Sequence, residues 1–383
     1  MAKPRVLVGL SGGVDSSVSA ALLLEQGYDV VGGFMKNWSE EVKSEKEKVK
    51  SSECDWRTER RDAMRVAAQL GIPFHTFDFE EEYRAKVYEY MIAEYKAGRT
   101  PNPDVLCNKY MKFDLFLQKA DELGCDFIAT GHYARVTRDP LPLIEGESEG
   151  ELGITHLLAG LDTNKDQSYF LCQLTQSQIS RALFPIGDLE KPAVRELARK
   201  YNLPVAEKKD SQGICFVGKV DMNDFLAARI TPHDGNIITT DGNIIGQHHG
   251  FEFYTIGQRG GLGIGGGTPY YVVDRKPETN DVIVAVGEND PALYRTQLVA
   301  TNLTETIDGN LQRYFGKKLS ARIRYRQPLA ACTIETLPLT EGESEGELHR
   351  VTVTFDAPQR AVAPGQFIAF YDGEKLVGSG VIA

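Results

Sequence analysis

Cysteine is scarce in this chain. Six are spread over 383 residues (Cys54, Cys107, Cys125, Cys172, Cys215, Cys332), and no two form a CxxC pair. That spacing excludes a disulfide-stapled secreted scaffold and offers no structural zinc knuckle; it fits a reducing, cytoplasmic setting. Long apolar runs are missing too. None approaches the roughly 20 residues of a membrane-spanning helix, and Met1–Leu10 passes directly into a strand-like segment, so neither a leader nor a membrane partner is expected. Positive charge is in deficit, with 43 Lys plus Arg against 54 Asp plus Glu and a net charge of −11. Evenly spread, that acid would argue against a nucleic-acid partner. It is not evenly spread. Leu141–Leu152 (LPLIEGESEGEL) and Leu337–Leu348 (LPLTEGESEGEL) are near-duplicates that carry four glutamates each. Units this short, in two copies, cannot stack into a solenoid. They read as acidic insertions in exposed loops, where extra length costs little closure entropy. The remaining surface is close to neutral and leaves room for a basic face.

What is present is strand–helix alternation over the first two hundred residues. Arg5–Gly9, Asp29–Met35, Ile72–Phe79 and Cys125–Thr130 are strand candidates. Asp15–Gln26, Trp56–Leu70, Glu80–Ala97, Asn108–Leu123 and Lys191–Tyr201 have helical spacing. This alternation predicts an α/β fold, a mostly parallel sheet with helices on both faces. Glu40–Glu53 mixes Glu with Lys and reads as a solvated excursion. After about Val217, Gly-bounded β-like stretches take over: Ile237–Thr240, Val272–Asp274, Val282–Val286, Leu319–Arg326, Arg350–Phe355 and Gln366–Tyr371. A small central α/β domain and a C-terminal β-barrel fit this half, with a boundary near Leu293–Thr296.

The strongest motif is Gly9-Leu10-Ser11-Gly12-Gly13-Val14-Asp15-Ser16-Ser17, between the first strand and the first helix. Its glycines let backbone approach an anion, helix N-terminal amides point at that anion, and three serines add hydroxyl donors. The Lys-Ser/Thr ending of a Walker A loop is missing. An acid at Asp15 beside phosphate makes sense with a cation such as Mg²⁺ between them. SGGVDSS in this position is the loop of enzymes that split ATP between its α and β phosphates. No residue cluster in the sequence has the spacing of a dedicated metal site. Cys107 and Cys215 stand in polar settings, TPNPDVLCNK and KDSQGICF, whereas Cys125, Cys172 and Cys332 have apolar neighbours and read as small buried hydrophobes. The prolines at Pro101 and Pro103 predict a loop before Cys107, which then lies near the start of a helix, where a thiol ionises more easily. Gly257–Gly267 has no helix-forming stretch after it and reads as a Gly-rich loop rather than a dinucleotide fingerprint. Alternation through Arg322-Ile323-Arg324-Tyr325-Arg326 predicts three arginines on one strand face, suited either to solvent or to phosphates.

Taken in order, SGGVDSS, MKNW (Met35–Trp38), AEYKAGRTPNPDVLCNKYMKF (Ala93–Phe113), ATGHYAR (Ala129–Arg135), NKDQSYFL (Asn164–Leu171), DSQGICF (Asp210–Phe216), TIGQRGGLGIGG (Thr255–Gly266), RIRYRQ and APGQ (Ala363–Gln366) closely resemble the bacterial tRNA-specific 2-thiouridylases. The resemblance spans essentially the whole chain, departing at Glu40–Glu53 and at the two acidic repeats. It implies a Rossmann-like parallel sheet of the adenine nucleotide alpha hydrolase type. Three domains follow from it: an ATP-binding catalytic domain over 1–217, a tRNA-binding linker domain over 218–294 and a β-barrel over 295–383. It implies ATP-dependent sulfuration of C2 of the wobble uridine in tRNAs for Lys, Glu and Gln, with a cysteine desulfurase or relay protein as sulfur donor. Gly9, Leu10, Ser11, Gly12, Gly13, Val14, Asp15, Ser16, Met35 and Gly131 would bind ATP. Asn102, Pro103 and Asp104 would meet the target base, with Asp104 also placed for proton transfer. Cys107 matches the nucleophile and Cys215 the persulfide carrier, the two closing an internal disulfide during turnover. Lys165, Asp166, Gln167, Arg324 and Tyr325 match tRNA-contacting positions. Two rivals stay open at this point: an amide ligase built on the same loop, and a tRNA-binding protein whose loop has lost activity.

Overall fold

The structure is a computed structural model that describes residues 3–39, 56–139, 154–209, 222–265, 267–306, 311–337 and 350–383. Glu40–Glu53, Cys54, Cys215 with its DSQGICF segment, and both acidic repeats apart from Leu337 lie outside the described residues.

The N-terminal body follows the predicted alternation. Strands β1 (Arg5–Gly9), β2 (Asp29–Lys36), β3 (Phe74–Asp78) and β4 (Phe127–Ala129) form the sheet. A hairpin, β5 (Ala134–Arg138) and β6 (Thr155–Ala159), precedes its fifth strand, β7 (Ala182–Leu183). The sheet is all parallel, in the order β3-β2-β1-β4-β7. Period-two alternation sorts its apolar residues into two layers. Val6, Val8, Val30 and Phe34 pack with α1 (Val14–Glu25) and α2 (Trp56–Leu70), while Leu7, Val31 and Met35 pack with helical segments 80–96 and 103–122. Phe116, fully buried in this second layer, stabilises by roughly 1.5–3 kcal/mol in the usual way of a buried ring. The chain reverses its direction of strand addition between β1 and β4, so the carboxyl ends of these strands form the crevice where open α/β sheets bind ligands.

One helix begins earlier than the sequence suggests. It starts at Pro103, not Asn108, because proline at the first helical position loses no helix bond, and the Asn102 side chain caps the Val105 amide at 3.4 Å. Its second section, Cys107–Leu115, is wound as a π-helix, as is Arg84–Tyr88 in the neighbouring segment. Such wide turns are rare and gather at functional sites.

The central body is a four-stranded sheet of β8 (Gly235–Thr239), β9 (Ile244–His248), β10 (Tyr270–Lys276) and β11 (Asp281–Val286), preceded by the helix Met222–Ala227. Phe225 and Leu226 of that helix bury against Met91 and Tyr95, fastening this body to the first. The third body comprises β12 (Tyr294–Glu305), β13 (Leu319–Arg322), β14 (Ala330–Thr336), β15 (Arg350–Arg360), β16 (Phe367–Asp372) and β17 (Lys375–Ile382). Pairing of β12 with β17 closes these six into a barrel and removes the free edges. The β5–β6 hairpin leaves the first body to join this barrel, with Leu157 opposite Leu376 on β17.

All three bodies meet at one short loop, Thr100–Asn102. Arg275 of β10 donates to Thr100 Oγ1 at 3.1 Å. Gln366, just before β16, donates to the Thr100 and Pro101 carbonyls at 2.8 and 3.2 Å, and the Thr100 amide donates to the Pro364 carbonyl at 2.7 Å. Arg275 is buried, which pulls its guanidinium down to about 10. The late APGQ segment thus grips the loop that leads into Cys107.

Candidate active site

The Gly9–Ser17 loop sits at the crevice between β1 and β4. Gly12 has φ +74°, and a Cβ there would lie 2.3 Å from the Glu59 carbonyl oxygen of α2, so no other residue fits without moving α2. Gly131, after β4, faces the loop from the other side, where a Cβ would fall 2.6 Å from the Ser16 amide nitrogen. Within the loop Ser11 and Ser16 hydroxyls lie 3.2 Å apart, and the Ser17 hydroxyl donates to the Gly13 carbonyl at 2.7 Å. Met35 closes the floor, its Cε 3.2 Å from where a Gly9 Cβ would stand. The structure therefore brings together Gly9 to Ser16, Met35 and Gly131, which the sequence leaves far apart.

Two lysines that sequence reasoning missed converge on the same loop. Lys191, at the start of the helix Lys191–Lys200, holds both Asp15 carboxylate oxygens at 2.7 and 2.9 Å, and the Tyr133 hydroxyl adds a third bond to Asp15 at 2.9 Å. Lys208 donates to the Gly12 carbonyl at 3.0 Å and to Asp62 of α2 at 2.8 Å. The only signal was for Lys208, which stands next to KDSQGICF; Lys191 merely opens a helix candidate. Nothing local links position 191 to position 15.

The loop fits a polyphosphate. Gly13 caps α1 with no side-chain hydrogen bond, so the first-turn amides are not claimed by a capping side chain and suit an anion. The fit to a divalent cation is narrower. Among the described residues no group of three or more His, Cys, Asp or Glu could hold a metal. Mg²⁺ is commonly held by one or two carboxylates plus phosphate oxygens; here Asp15 would hold it, and Lys191 would have to release that carboxylate.

Cys107 is wholly buried, in the same apolar cluster as Met35, Val105, Leu106 and Phe113. Asp104 lies three residues earlier, on the same side of the helix. Asn108, also buried, donates to the Phe170 carbonyl at 2.9 Å. Asn102 and Pro103 form the helix start under the Gln366 clamp. The three other described cysteines are buried as well: burial raises the Cys125 thiol and pushes Cys172 and Cys332 up to about 12. Burial also lowers the His132 imidazole well below its ordinary value, so it stands neutral beside the Thr130 hydroxyl at 2.7 Å. Cys215 lies outside the described residues, so its distance from Cys107 is not part of this geometry.

The segments singled out for RNA also come together, though not as a stripe. The expected strand through Arg322–Arg326 stops at Arg322, and the chain turns with Arg326 at φ +62° before Gln327-Pro328. The three arginines therefore do not share a face. Arg322 turns inward and pairs with buried Asp166 at 2.9 Å, while Arg324 stays exposed and donates to the Arg360 carbonyl at 2.6 Å. The Asp166 carboxylate also accepts the Gly160 and Ser168 amides at 2.9 and 3.0 Å, which shapes the loop carrying Lys165 and Gln167. Gln167 accepts the Tyr133 amide at 3.0 Å. The Tyr325 ring packs at a tilt against Phe170, centroids 4.6 Å apart, so Lys165–Gln167 and Arg324–Tyr325 lie on adjoining loops of two bodies. Among the described residues no helix is long and apolar enough to cross a membrane.

Family models match the chain in three blocks: a tRNA methyl transferase HUP domain over residues 4–219, a tRNA methyl transferase PRC-barrel domain over 223–286, and an aminomethyltransferase beta-barrel domain over 316–382. A tRNA-specific 2-thiouridylase of Enterococcus faecalis is 45% identical over 99% of this chain and 95% of its own length. One from Pseudomonas fluorescens is 48% identical over 99% and 95%. Among solved structures, a 4-thiouridine synthetase in complex with RNA and bound ATP overlaps with a TM-score of 0.34 at 14% identity, covering 59% of this chain and 50% of that one. Matched from end to end at nearly half identity, the chain belongs to the tRNA-specific 2-thiouridylase family.

Proposed function

We propose that this chain is an ATP-dependent tRNA-uridine 2-sulfurtransferase that thiolates C2 of the wobble uridine in tRNAs for Lys, Glu and Gln, in the cytoplasm. The observation that carries this is the convergence of the Gly9–Ser16 loop, Gly131 and Met35 at the sheet crevice, with Cys107 in the apolar cluster that contains Met35. ATP, when bound, supplies the adenylyl group that makes the uracil O2 a leaving group. Ser11, Ser16 and the α1 amides would hold the polyphosphate, and Lys191 and Lys208 would balance its charge. Asp15 would carry Mg²⁺ there.

The sulfur steps fall to two cysteines. A desulfurase or relay protein loads Cys215 with a persulfide. Its terminal sulfur attacks C2 of the adenylated base, and AMP leaves. Cys107 then attacks the Cys215 sulfur as a thiolate, which frees the 2-thiouridine and leaves a Cys107–Cys215 disulfide; an external dithiol returns both thiols. Asp104 is placed to take a proton within this segment. The target base must leave the anticodon stack, as bases do in single-stranded RNA loops. Asn102 and Pro103 would border it, while Lys165, Gln167, Arg324 and Tyr325 would form the adjoining RNA contact region, with buried Asp166, the fifth position the resemblance marks, acting by shaping the loop between Lys165 and Gln167. Deletion of the gene is expected to remove the 2-thio group from wobble uridines, read by mass spectrometry of digested tRNA. An unchanged 2-thiouridine level would refute the proposal.

Arg324 is exposed and would act through RNA phosphate. Arg324→Ala should weaken tRNA binding and lower the slope of log K against log salt by about one counterion. ATP affinity should not change. An unmoved salt slope would mean that Arg324 only faces solvent.

A further inference from the structure

Asn37 is an isolated polar group next to this crevice. Its side chain is 1% exposed, and among the described residues neither its amide nitrogen nor its amide oxygen has a hydrogen-bond partner. A buried primary amide normally uses several of its four bonding positions, and leaving them empty costs stability. Asn37 follows β2 directly. Met35, two residues earlier, packs in the cluster that holds Cys107, and Trp38, the next residue, packs against that same cluster, so Asn37 stands in the chain between two residues that reach it. Its neighbours are fixed. Lys36 pairs with Asp78 at 2.9 Å and with Glu80, while the Trp38 ring packs on Tyr83 and Tyr88 at 6.1 and 5.1 Å. The amide is thus held at the carboxyl end of an inner parallel strand with no partner among the described residues.

Resting on the 2-thiouridylase proposal, we propose that Asn37 reads the edge of the target uracil. Its Nδ2 would donate to O4 and its Oδ1 would accept from N3–H, leaving O2 turned away for adenylation. Two heterocycles must enter this crevice, adenine and uracil. Asn37 lies two residues beyond Met35, the proposed ATP-side residue, at the carboxyl end of β2, where the crevice opens. The other candidate amide is already engaged: Asn102 accepts from the Val105 amide and donates to Gln366. A side-by-side donor and acceptor matches the pyrimidine edge and is typically worth one or two orders of magnitude in recognition.

The test uses the full chain with Asn37→Leu and Asn37→Asp. Removing an unsatisfied buried amide should leave the free protein as stable or raise its melting temperature by about 2 °C in Asn37→Leu. The same variant should lose about 10- to 100-fold in kcat/KM for tRNA, with ATP affinity within about twofold of wild type. Asn37→Asp keeps the shape but loses the donor to O4, and should fall in the same range. A drop in ATP affinity equal to the loss on tRNA would assign the amide to adenine and overturn the proposal. So would full thiolation by Asn37→Leu, or a lower melting temperature that accounts for its lost activity. Wild type run alongside separates the layers: no thiolation by wild type overturns the proposed function itself, whereas retained thiolation by the variants overturns only the role of Asn37.

Discussion

Cys215→Ser is expected to abolish thiouridine formation and to accept no persulfide when the chain is incubated with a cysteine desulfurase and cysteine. Cys107→Ser should give an equally dead enzyme with a different signature. It should load sulfur at Cys215, adenylate the base and then stall, because no thiolate remains to free the product. Both variants should bind ATP and tRNA normally, since neither thiol belongs to the phosphate loop. Peptide mapping after one turnover without reductant separates the two roles: wild type should yield a Cys107–Cys215 disulfide. A persulfide mapped to another cysteine, with no such bond, would reverse the assignment. Cys107 is wholly buried in the free chain, and a disulfide needs Cα atoms within about 7 Å. Cys107 and Cys215 must therefore come within that distance during turnover, and the Cys107 end of the approach is a π-wound turn, a rare geometry that gathers at functional sites.

Asp15→Ala should stop AMP formation while tRNA binding survives. Two causes add here. In the free chain Lys191 loses the partner that positions it, so its ammonium no longer has a fixed place beside the loop, and with ATP bound the carboxylate that would hold Mg²⁺ is gone. Lys191→Met isolates the first cause. It should slow AMP release by about 100-fold, in the range of one lost charge-assisted contact in a reaction centre, and raise the KM for ATP. Equal AMP release by wild type and Asp15→Ala would remove the loop from the chemistry. A Lys191→Met enzyme as fast as wild type would make the Asp15–Lys191 pair purely structural.

How far the sequence reveals this site depends on whether the forces are local. The phosphate loop is legible because its glycines, serines and helix start are consecutive, and the parallel sheet is legible because short apolar runs, buried on both faces in β1 and β2, alternate with segments of helical spacing. Lys191 and Lys208 are not legible, because their partners on α1 and α2 are neighbours in the same layer but lie more than a hundred residues away in the sequence, and no periodicity reports such a pairing. The early helix start was hidden for a different reason. Pro103 reads as a breaker until its place at the first turn is known, and that place is set by the Asn102 cap. The arginine stripe fails because alternation holds only while the strand lasts. Asp166 draws Arg322 inward, and the left-handed turn at Arg326 ends the register.

The seam between β6 and β17 has a consequence for how the chain is made. Leu157 meets Val136 of β5 on one side, but its neighbour on the other side is Leu376, so the first body leaves the ribosome with an open strand edge and must wait for the barrel. Contacts of such sequence separation form slowly, and an exposed edge invites pairing with the wrong partner meanwhile. The Thr100–Asn102 loop waits too, because Arg275 and Gln366 are both downstream of it. A half-made chain would thus hold a formed phosphate loop without the grip on the segment leading to its nucleophile, and sulfur chemistry would begin only once synthesis had passed the barrel.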